Sequence, residues 1–252
     1  MIKSKKISKY KTIKHGFFNK IGGTSKGIYK SLNCGLGSYD KKINVTNNLK
    51  IICKKIGANH KKLILLNQTH SNKFYFMKKN HNFNKKIKAD ALITNIRNTP
   101  IGVLTADCVP ILIYDKKKNI VSAIHAGWKG AYKGIIKKVI NFMLKKGCQK
   151  KNMVAAIGPC IGRKNYNVKN DFKRKFLKKD KKNKIFFKFS HNKIFFDLRK
   201  YISFQIKSFG INKLEIINKD TFSGKNSYFS ARRSLVKKEN DYGRNISIIM
   251  IN

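Results

Sequence analysis

An apolar stretch at residues 101–115 is interrupted at its centre by Asp107 and Cys108, and Pro110 follows two residues later. A proline cannot donate a hydrogen bond to a sheet, so a continuous ladder through this point is disfavoured. The stretch therefore predicts two short strands rather than one long strand. We expect the pairing to break or bulge at this point, and bulges often re-aim side chains beside active sites.

Strand-like and helix-like patterns are mixed along the rest of the chain, without the steady alternation of a doubly wound sheet. Helices are predicted at residues 44–58, 131–146, 168–179 and 198–209. Strands are predicted at residues 62–77 (interrupted at 67–70), 90–95, 120–125, 153–157, 185–194 (with a turn), 214–217 and 246–251. The expected fold class is α+β. No repeat and no linker rich in Pro, Gly or Ser divides the 252 residues, so a single domain over residues 1–252 is predicted.

The formal net charge of +47 would suit a nucleic-acid-binding protein. However, 51 of the 58 basic residues are lysines spread over almost every polar stretch, whereas nucleic-acid recognition favours the bidentate guanidinium of arginine. Because Lys, Asn and Ile all have AT-rich codons, a biased genome explains the profile without selection for a polyanionic partner. Specific nucleic-acid binding is not expected, and a basic nucleic-acid-binding protein is kept as the non-enzyme alternative.

The five cysteines form no CxxC pair, and the N-terminal residues lack the apolar core of a secretory signal. No stretch of the sequence approaches the roughly 18 uninterrupted apolar residues of a membrane span. We therefore expect reduced thiols and a cytoplasmic, monomeric protein that does not enter a membrane.

Three candidate metal ligands, His70, Cys108 and His125, each lie at the end or in a break of an apolar, strand-like run. Two imidazole nitrogens and one thiolate suit zinc and leave a fourth tetrahedral position open, which favours a catalytic site over a structural one. Two other interpretations stay open: each histidine is an ordinary hydrogen-bonded side chain, or Cys108 is a nucleophile with His125 as its base. The other histidines are expected to be solvated, and they are His15, His60, His81 and His191.

Asp107 is an acidic residue within an otherwise apolar stretch, where burial is costly without a partner or a task. It is a candidate either to orient a metal-bound histidine or to act as a general base. Three of the seven arginines lie within thirteen residues, at positions 232, 233 and 244. Arg232 and Arg233 are candidates for binding phosphate or carboxylate, with an ordinary surface pair as the alternative.

Eight short motifs run through most of the chain. They are Gly22-Gly23-x-Ser25, Ser31-Leu32-Asn33, Gln68-x-His70, Asp90-Ala91-Leu92, Thr105-Ala106-Asp107-Cys108-x-Pro110, His125-Ala126-Gly127-Trp128-x-Gly130, Ile157-Gly158-Pro159-x-Ile161 and Phe229-Ser230-x-Arg232-Arg233. No single motif is diagnostic, but the ordered set is highly specific. Together these motifs resemble the YfiH family, also called the laccase-domain or polyphenol oxidoreductase family.

The resemblance implies a four-layer α/β/β/α sandwich with a metal site on His70, Cys108 and His125. It also implies zinc-dependent purine nucleoside phosphorylase activity, in which adenosine, inosine, guanosine or methylthioadenosine reacts with inorganic phosphate to give the base and ribose 1-phosphate. Adenosine deamination would use the same site. The older family label, a copper-dependent polyphenol oxidase, is the rival implication.

For these reactions, Asp107 is a candidate to move a proton during deamination, and Arg232 with Arg233 are candidates to hold phosphate. Two positions depart from the family pattern, because Asp220-Thr221 stands where Cys-Thr is usual and Asn48-Leu49 where Asn-Arg is usual. If either departure shapes the substrate pocket, rate or specificity would differ. A laccase needs several coppers, and six histidines are few to hold them, which argues against the oxidase.

Overall fold

The structure is a computed structural model that describes residues 1–79 and 87–252. Within these residues, the helices are α1 (Lys5–Ser8), α2 (Lys42–Lys55), α3 (Trp128–Tyr132), α4 (Ile135–Lys145), α5 (Asn170–Lys179), α6 (Leu198–Ser208) and α7 (Ala231–Val236). The strands are β1 (Ile13–Phe17), β2 (Phe74–Phe76), β3 (Ala91–Thr94), β4 (Ile101–Thr105), β5 (Val109–Asp115), β6 (Ile120–Ala126), β7 (Met153–Ile157), β8 (Asn167–Val168), β9 (Phe187–Ser190), β10 (Lys193–Phe196), β11 (Leu214–Ile216) and β12 (Asn245–Ile251). None of these helices is long and apolar enough to cross a membrane.

Two sheets form the centre of the molecule. The larger sheet has six strands in the order β11-β7-β5-β6-β3-β2, and the smaller has three in the order β1-β12-β4. Strands β5, β6 and β12 are buried along their whole length, which explains why their sequences are nearly continuous apolar runs. A short antiparallel sheet, β8-β10-β9, lies apart from these two.

Three apolar clusters fill the spaces between the layers. One lies between the larger sheet and helices α3, α4 and α6. The second joins the two sheets and includes Leu112, Ala123 and Ile249. The third lies between the smaller sheet and α2 and includes Ile52 and Ile248. The predicted α+β class and the four-layer α/β/β/α arrangement are therefore confirmed.

The stretch at residues 101–115 connects the two sheets. Its halves, β4 and β5, belong to different sheets, and the turn at residues 106–108 carries the chain between them. Asp107 in this turn has a left-handed backbone conformation, with φ at 86°. The predicted break lies at this turn, but the predicted bulge is wrong, because Pro110 pairs in register with His125. Pro110 is the second residue of β5, close to the beginning of the strand, where a missing donor is tolerated.

The predicted strand at residues 62–77 is mostly wrong. Only Phe74–Phe76 forms a strand. Ile64 and Asn67 form isolated bridges, and the backbone amides of residues 69–71 donate to the Asp90 carboxylate instead of pairing in a ladder. The predicted helix at residues 131–146 is divided into α3 and α4 at Gly134, whose φ of 81° suits a glycine. The other predicted elements lie within a few residues of the observed ones.

Candidate metal centre and the cavities beside it

His70, Cys108 and His125 converge beside the turn that joins the two sheets. Their ligand atoms all lie within 4.8 Å of one another, and Cys108 Sγ is 3.7 Å from His70 Nε2. His70 is exposed, Cys108 is half-buried and His125 is buried. The predicted convergence of these three residues is therefore present in the structure, and the group opens toward solvent on the His70 side.

Asp90 fixes both histidines of this triad. Its Oδ1 lies 2.8 Å from Nδ1 of His125, which leaves Nε2 of that ring free for a metal. The same carboxylate accepts hydrogen bonds from the backbone amides of His70 at 3.0 Å and Ser71 at 2.7 Å. Asp90 is fully buried, directly before β3. Asp90 lies in one of the family motifs, but its role could not be predicted from the sequence because its position beside His125 depends on strand register.

Asp90, His125 and Cys108 stabilise one another's charged forms and so shift one another's pKa values. Burial alone would raise the pKa of the Cys108 thiol, but His125 and His70 outweigh it and lower this pKa to about 6. Burial would lower the pKa of His125, but Cys108 and Asp90 raise it to about 9. The pKa of Asp90 is lowered to about 2, because hydrogen bonds from His125 and Ser71 outweigh the effect of burial. Cys108 is thus a thiolate near neutral pH, the form that a ligand or a nucleophile requires.

The space between the ligands fits a metal ion. In tetrahedral zinc sites with Zn–S of about 2.3 Å and Zn–N of about 2.0 Å, the sulfur and nitrogen ligand atoms are separated by roughly 3.5 Å, close to the 3.7 Å between Cys108 Sγ and His70 Nε2. Gly127 makes this approach possible, because a Cβ there would lie 2.9 Å from Cys108 Sγ and 2.9 Å from His70 Cδ2. Two imidazoles and a thiolate also suit copper.

Asp107 does not have the orienting role that its sequence context suggested. Its Oδ1 accepts a 2.7 Å hydrogen bond from Thr221 Oγ1, and its Oδ2 accepts one of 2.7 Å from the backbone amide of Arg232. Asp90, not Asp107, is the carboxylate that contacts His125. Burial raises the pKa of Asp107, although these hydrogen bonds oppose the shift. Asp107 instead joins the ligand-bearing turn to the segment that carries the two arginines.

The side chains of Arg232 and Arg233 point to different partners. The Arg233 guanidinium donates to the backbone carbonyls of Thr221 at 2.8 Å and Phe222 at 2.9 Å, and also to that of Tyr228. Arg232 donates to the Asn167 side chain. The two guanidiniums therefore do not form a paired clamp in this structure. Direct phosphate binding by Arg233 would require it to release backbone carbonyls.

Two cavities meet at His70 and Cys108. The smaller cavity, of about 300 Å³, is lined by Thr69, His70, Asp107, Cys108, Trp128, Lys129, Ile161, Tyr166 and Leu198. The larger cavity, of about 640 Å³, is lined by Gly35, Leu36, Gly37, Leu65, Leu66, Asn67, Gln68, His70, Leu104, Thr105, Ala106, Cys108, His125, Tyr242 and Arg244. A metal held by the triad would therefore lie at the wall that the cavities share.

Arg244 belongs to this site, whereas its sequence context showed only that it is one of three clustered arginines. Its guanidinium lies 4.5 Å from the centre of the Tyr242 ring and 3.1 Å from Asp241 Oδ1. Both Tyr242 and Arg244 border the larger cavity. Gly35 makes room for this arginine, because a Cβ there would lie 2.3 Å from Arg244 Cδ.

Of the two departures from the family pattern, Asp220 holds loops in place and Leu49 packs against an apolar cluster. Asp220 accepts hydrogen bonds from the backbone amides of Gly162 and Phe222, each at 2.9 Å. Asn48 is buried on α2 and its amide donates to the backbone carbonyls of Ser31 and Asn33. Leu49 beside it packs against the apolar cluster under the smaller sheet. None of these side chains lines either cavity.

One histidine outside the triad contradicts the prediction that it is solvated. His15 is buried in β1, and its Nε2 accepts a 2.9 Å hydrogen bond from the backbone amide of Ser4. The alternation of apolar residues in this short strand was too weak to reveal its burial. His60 is half-buried and His191 is exposed, whereas His81 lies outside the described residues.

Comparison with known proteins identifies the family. The sequence profile of the family described as multi-copper polyphenol oxidoreductase laccase matches residues 14–252. The chain belongs to this laccase-domain, or YfiH, family. The crystal structure of YfiH from Bacillus licheniformis has a TM-score of 0.88 to this structure at 26% identity, over 98% of this chain and 95% of that chain. The resemblance stated from the sequence motifs is thus confirmed.

Relatives in the laccase-domain family carry the name of a different activity from the family description. A protein of Bacteroides thetaiotaomicron named purine nucleoside phosphorylase is 31% identical, over 100% of this chain and 96% of its own length. A protein of Rickettsia conorii with the same name is 33% identical, over 86% of this chain and 91% of its own length.

Proposed function

We propose that this laccase-domain protein is a purine nucleoside phosphorylase that acts on adenosine, inosine, guanosine or methylthioadenosine. The observation that carries the proposal is the position of the triad, because His70 and Cys108 form part of the walls of two cavities. One centre is therefore accessible to two substrates, a nucleoside and inorganic phosphate. The names of the full-length relatives support the same reaction class.

In this reaction a phosphate oxygen forms a bond to C1′ of the sugar while the glycosidic C–N bond breaks. The purine leaves with the bonding electrons and takes up a proton, and the products are the free base and ribose 1-phosphate. Because C1′ carries positive charge in the transition state, the protein mainly has to hold both reactants in line and stabilise the leaving purine. Two cavities that meet at one centre suit this alignment.

We propose that His70, Cys108 and His125 hold zinc, with Asp90 fixing the orientation of His125. When bound, zinc would supply a Lewis acid and lower the pKa of coordinated water to roughly 7. Within residues 1–79 and 87–252 these are the only three His, Cys or acidic side chains grouped as potential metal ligands. This single group supports a one-metal site rather than the several coppers that a laccase uses.

We propose that Asp107 transfers a proton where the two cavities meet, because it directly precedes Cys108, which lines both of them, and because burial raises the pKa of its carboxyl group. The same residue would serve adenosine deamination, in which water adds at C6 of the purine and ammonia leaves to give inosine. We propose that the guanidinium of Arg232 binds phosphate. We propose that Arg233 acts by holding the segment at residues 221–228 through its backbone carbonyls.

A cysteine hydrolase is the second candidate, because the lowered pKa of the Cys108 thiol also suits a nucleophile. The two functions differ in what the metal-free protein does. A hydrolase would be active without metal and would be inactivated by iodoacetamide in that state. The phosphorylase proposed here would lose activity with its metal and recover it when zinc is returned.

The experiment measures the metal content of the purified protein together with phosphate-dependent release of adenine from adenosine. We expect about one zinc per chain and base release that needs phosphate. Cys108→Ala should lose both. Cys148→Ala is the matched control, because Cys148 is a buried thiol in the apolar core rather than at the triad. Base release at an equal rate without phosphate, or full activity in Cys108→Ala, would contradict the proposal.

A further inference from the structure

The smaller cavity has one lysine, Lys129, in its lining, and the guanidinium of Arg232 lies behind its wall. Among the residues that the structure describes, neither side chain forms an ion pair. We propose that inorganic phosphate binds in this cavity, against Lys129 and Arg232, and that the nucleoside occupies the larger cavity. The assignment rests on the proposed phosphorylase function and adds Lys129 as a phosphate-binding residue.

Lys129 lies at the rim of the smaller cavity, in α3. Its side chain is exposed, and its ammonium lies 5.7 Å from the centre of the Trp128 ring. The ammonium of Lys175 approaches the same ring at 5.6 Å from α5. The salt bridges of the described residues involve neither lysine. This rim therefore has a positive charge that is free to attract an anion.

Arg232 adds a guanidinium behind the wall of the same cavity. Its central carbon lies 5.6 Å from the centre of the Tyr166 ring, and that ring lines the cavity. Its side-chain hydrogen bonds go to the amide and carbonyl oxygens of Asn167, which are neutral acceptors. The charge of Arg232 is therefore not compensated by a carboxylate through these bonds, and a guanidinium suits phosphate oxygens.

The other two arginines of this region are less suitable for phosphate. Arg233 is engaged by three backbone carbonyls. Arg244, in the larger cavity, forms an ion pair with Asp241 at 3.1 Å. Asp241 does not line this cavity, but its carboxylate already compensates the charge of Arg244. Charge thus favours the smaller cavity for phosphate.

Asp107 is the acidic side chain that lines the smaller cavity. Its two carboxylate oxygens accept hydrogen bonds from Thr221 and from the backbone amide of Arg232. These donors spread the carboxylate charge and so reduce its repulsion of a nearby anion. Asp107 can therefore border a phosphate site without excluding the ligand.

The larger cavity suits the nucleoside by size and by its walls. Its volume of about 640 Å³ is more than twice the 300 Å³ of the smaller one. Leu36, Leu65 and Leu104 supply apolar surface for a purine, and the Tyr242 ring supplies a face for stacking. Since both cavities reach His70 and Cys108, the two substrates would meet at the triad.

The test compares Lys129→Gln and Arg232→Gln with wild type, and each substrate is varied in turn. We expect Lys129→Gln to raise the KM for phosphate roughly tenfold or more, the usual effect of losing a charged hydrogen-bond partner, with little change in the KM for inosine. Lys129→Arg should restore most of the phosphate affinity. Lys133→Gln is the matched control, since Lys133 is exposed and follows α3 but lines neither cavity. Calorimetric titration with inorganic phosphate measures the same affinity without turnover.

An unchanged affinity for phosphate in both Lys129→Gln and Arg232→Gln would overturn this assignment. A raised KM for inosine alone would also overturn it, because it would place the nucleoside in the smaller cavity. Wild type that releases no base in a phosphate-dependent way would instead refute the phosphorylase function. In that case calorimetric phosphate binding that Lys129→Gln weakens would still support the binding site.

Discussion

His125 and His15 are both buried in β-strands, with exposed fractions of 3% and 2%, yet their surroundings give them opposite properties. Burial would lower the pKa of His125, but Cys108 and Asp90 raise it to about 9. Burial and the nearby charge of Lys3 lower the pKa of His15 to about 4. The difference shows that burial does not decide the role of a histidine. The chemistry of its partners does.

Around His125 the partners are a carboxylate and a thiol, so the imidazole is oriented and joined to a soft ligand. Around His15 the hydrogen-bond partner is the backbone amide of Ser4, which fixes a neutral ring that accepts at Nε2. The partners of His125 suit a metal centre, whereas the hydrogen bond of His15 attaches the N-terminal segment to β1. Substitutions of His15, or of the residues around His125, test whether these partners set the properties of each histidine.

The largest expected effect concerns His15 in acid. Because its pKa is about 4 in the folded protein and about 6.5 when exposed, the folded state binds fewer protons between these values. Neutral His15 therefore contributes roughly 3 kcal/mol to the free energy of unfolding above about pH 6.5, and this contribution is lost as the pH falls toward 4. His15→Gln should remove this dependence. Urea unfolding at pH 7, 5.5 and 4 measures the free energy of unfolding of wild type and His15→Gln. An equal dependence of this free energy on pH in the two proteins would refute a neutral buried His15.

Asp90→Asn tests the partner of His125. The substitution keeps a hydrogen-bonding oxygen but removes the charge beside Nδ1, so the affinity for zinc should fall roughly 10- to 100-fold. Asp115→Asn is the matched control, because Asp115 is equally buried but accepts hydrogen bonds from backbone amides at the end of β5. Competition with a chromophoric chelator gives both affinities. Equal zinc affinity in the two variants would contradict the assignment of Asp90.

Gly127→Ala tests the close approach of the ligands. The added Cβ would lie 2.9 Å from both Cys108 Sγ and His70 Cδ2, so the triad must widen. We expect zinc affinity to fall roughly tenfold, in line with the 1–3 kcal/mol cost of overpacking. Gly37→Ala provides the control, because a Cβ at Gly37 meets nothing within 4 Å. The same chelator competition applies, and an unaltered zinc affinity in Gly127→Ala would show that the ligands are more loosely held.

Asp107→Asn should have the smallest effect on the metal. Its carboxylate contacts Thr221 and the backbone of Arg232 rather than His125, so zinc affinity should stay within about twofold of wild type. Stability should fall by about 1 kcal/mol, the usual value of one hydrogen bond, and phosphorolysis should slow. Loss of zinc comparable to that in Asp90→Asn would show that Asp107 also orients the ligands.

The metal ligands could be predicted because each lies in a local sequence context that is unusual for a buried strand. Cys108 follows an aspartate and lies two residues before a proline, and His125 lies two residues before a glycine where the backbone approaches closely. The role of Asp90 could not be predicted in this way, because it depends on the antiparallel pairing of β3 with β6. That pairing places the carboxylate beside a histidine 35 residues away in sequence.

Long-range contacts also explain the other errors. The halves of the stretch at residues 101–115 are both apolar and buried, so nothing in the pattern shows that they belong to different sheets. Adjacent arginines suggested a paired clamp, but Arg233 is engaged by carbonyls of residues 221–228 that only the folded chain brings near. Local patterns thus predict elements and ligands, whereas partners across sheets and loops require the fold.

A zinc titration tests most directly whether one metal at the triad supports phosphorolysis. Metal-free protein should be titrated with zinc while phosphate-dependent release of hypoxanthine from inosine is measured. We expect activity to rise linearly and to stop rising at about one zinc per chain. Full activity before any zinc is added, or activity that appears only after several equivalents of copper, would contradict it.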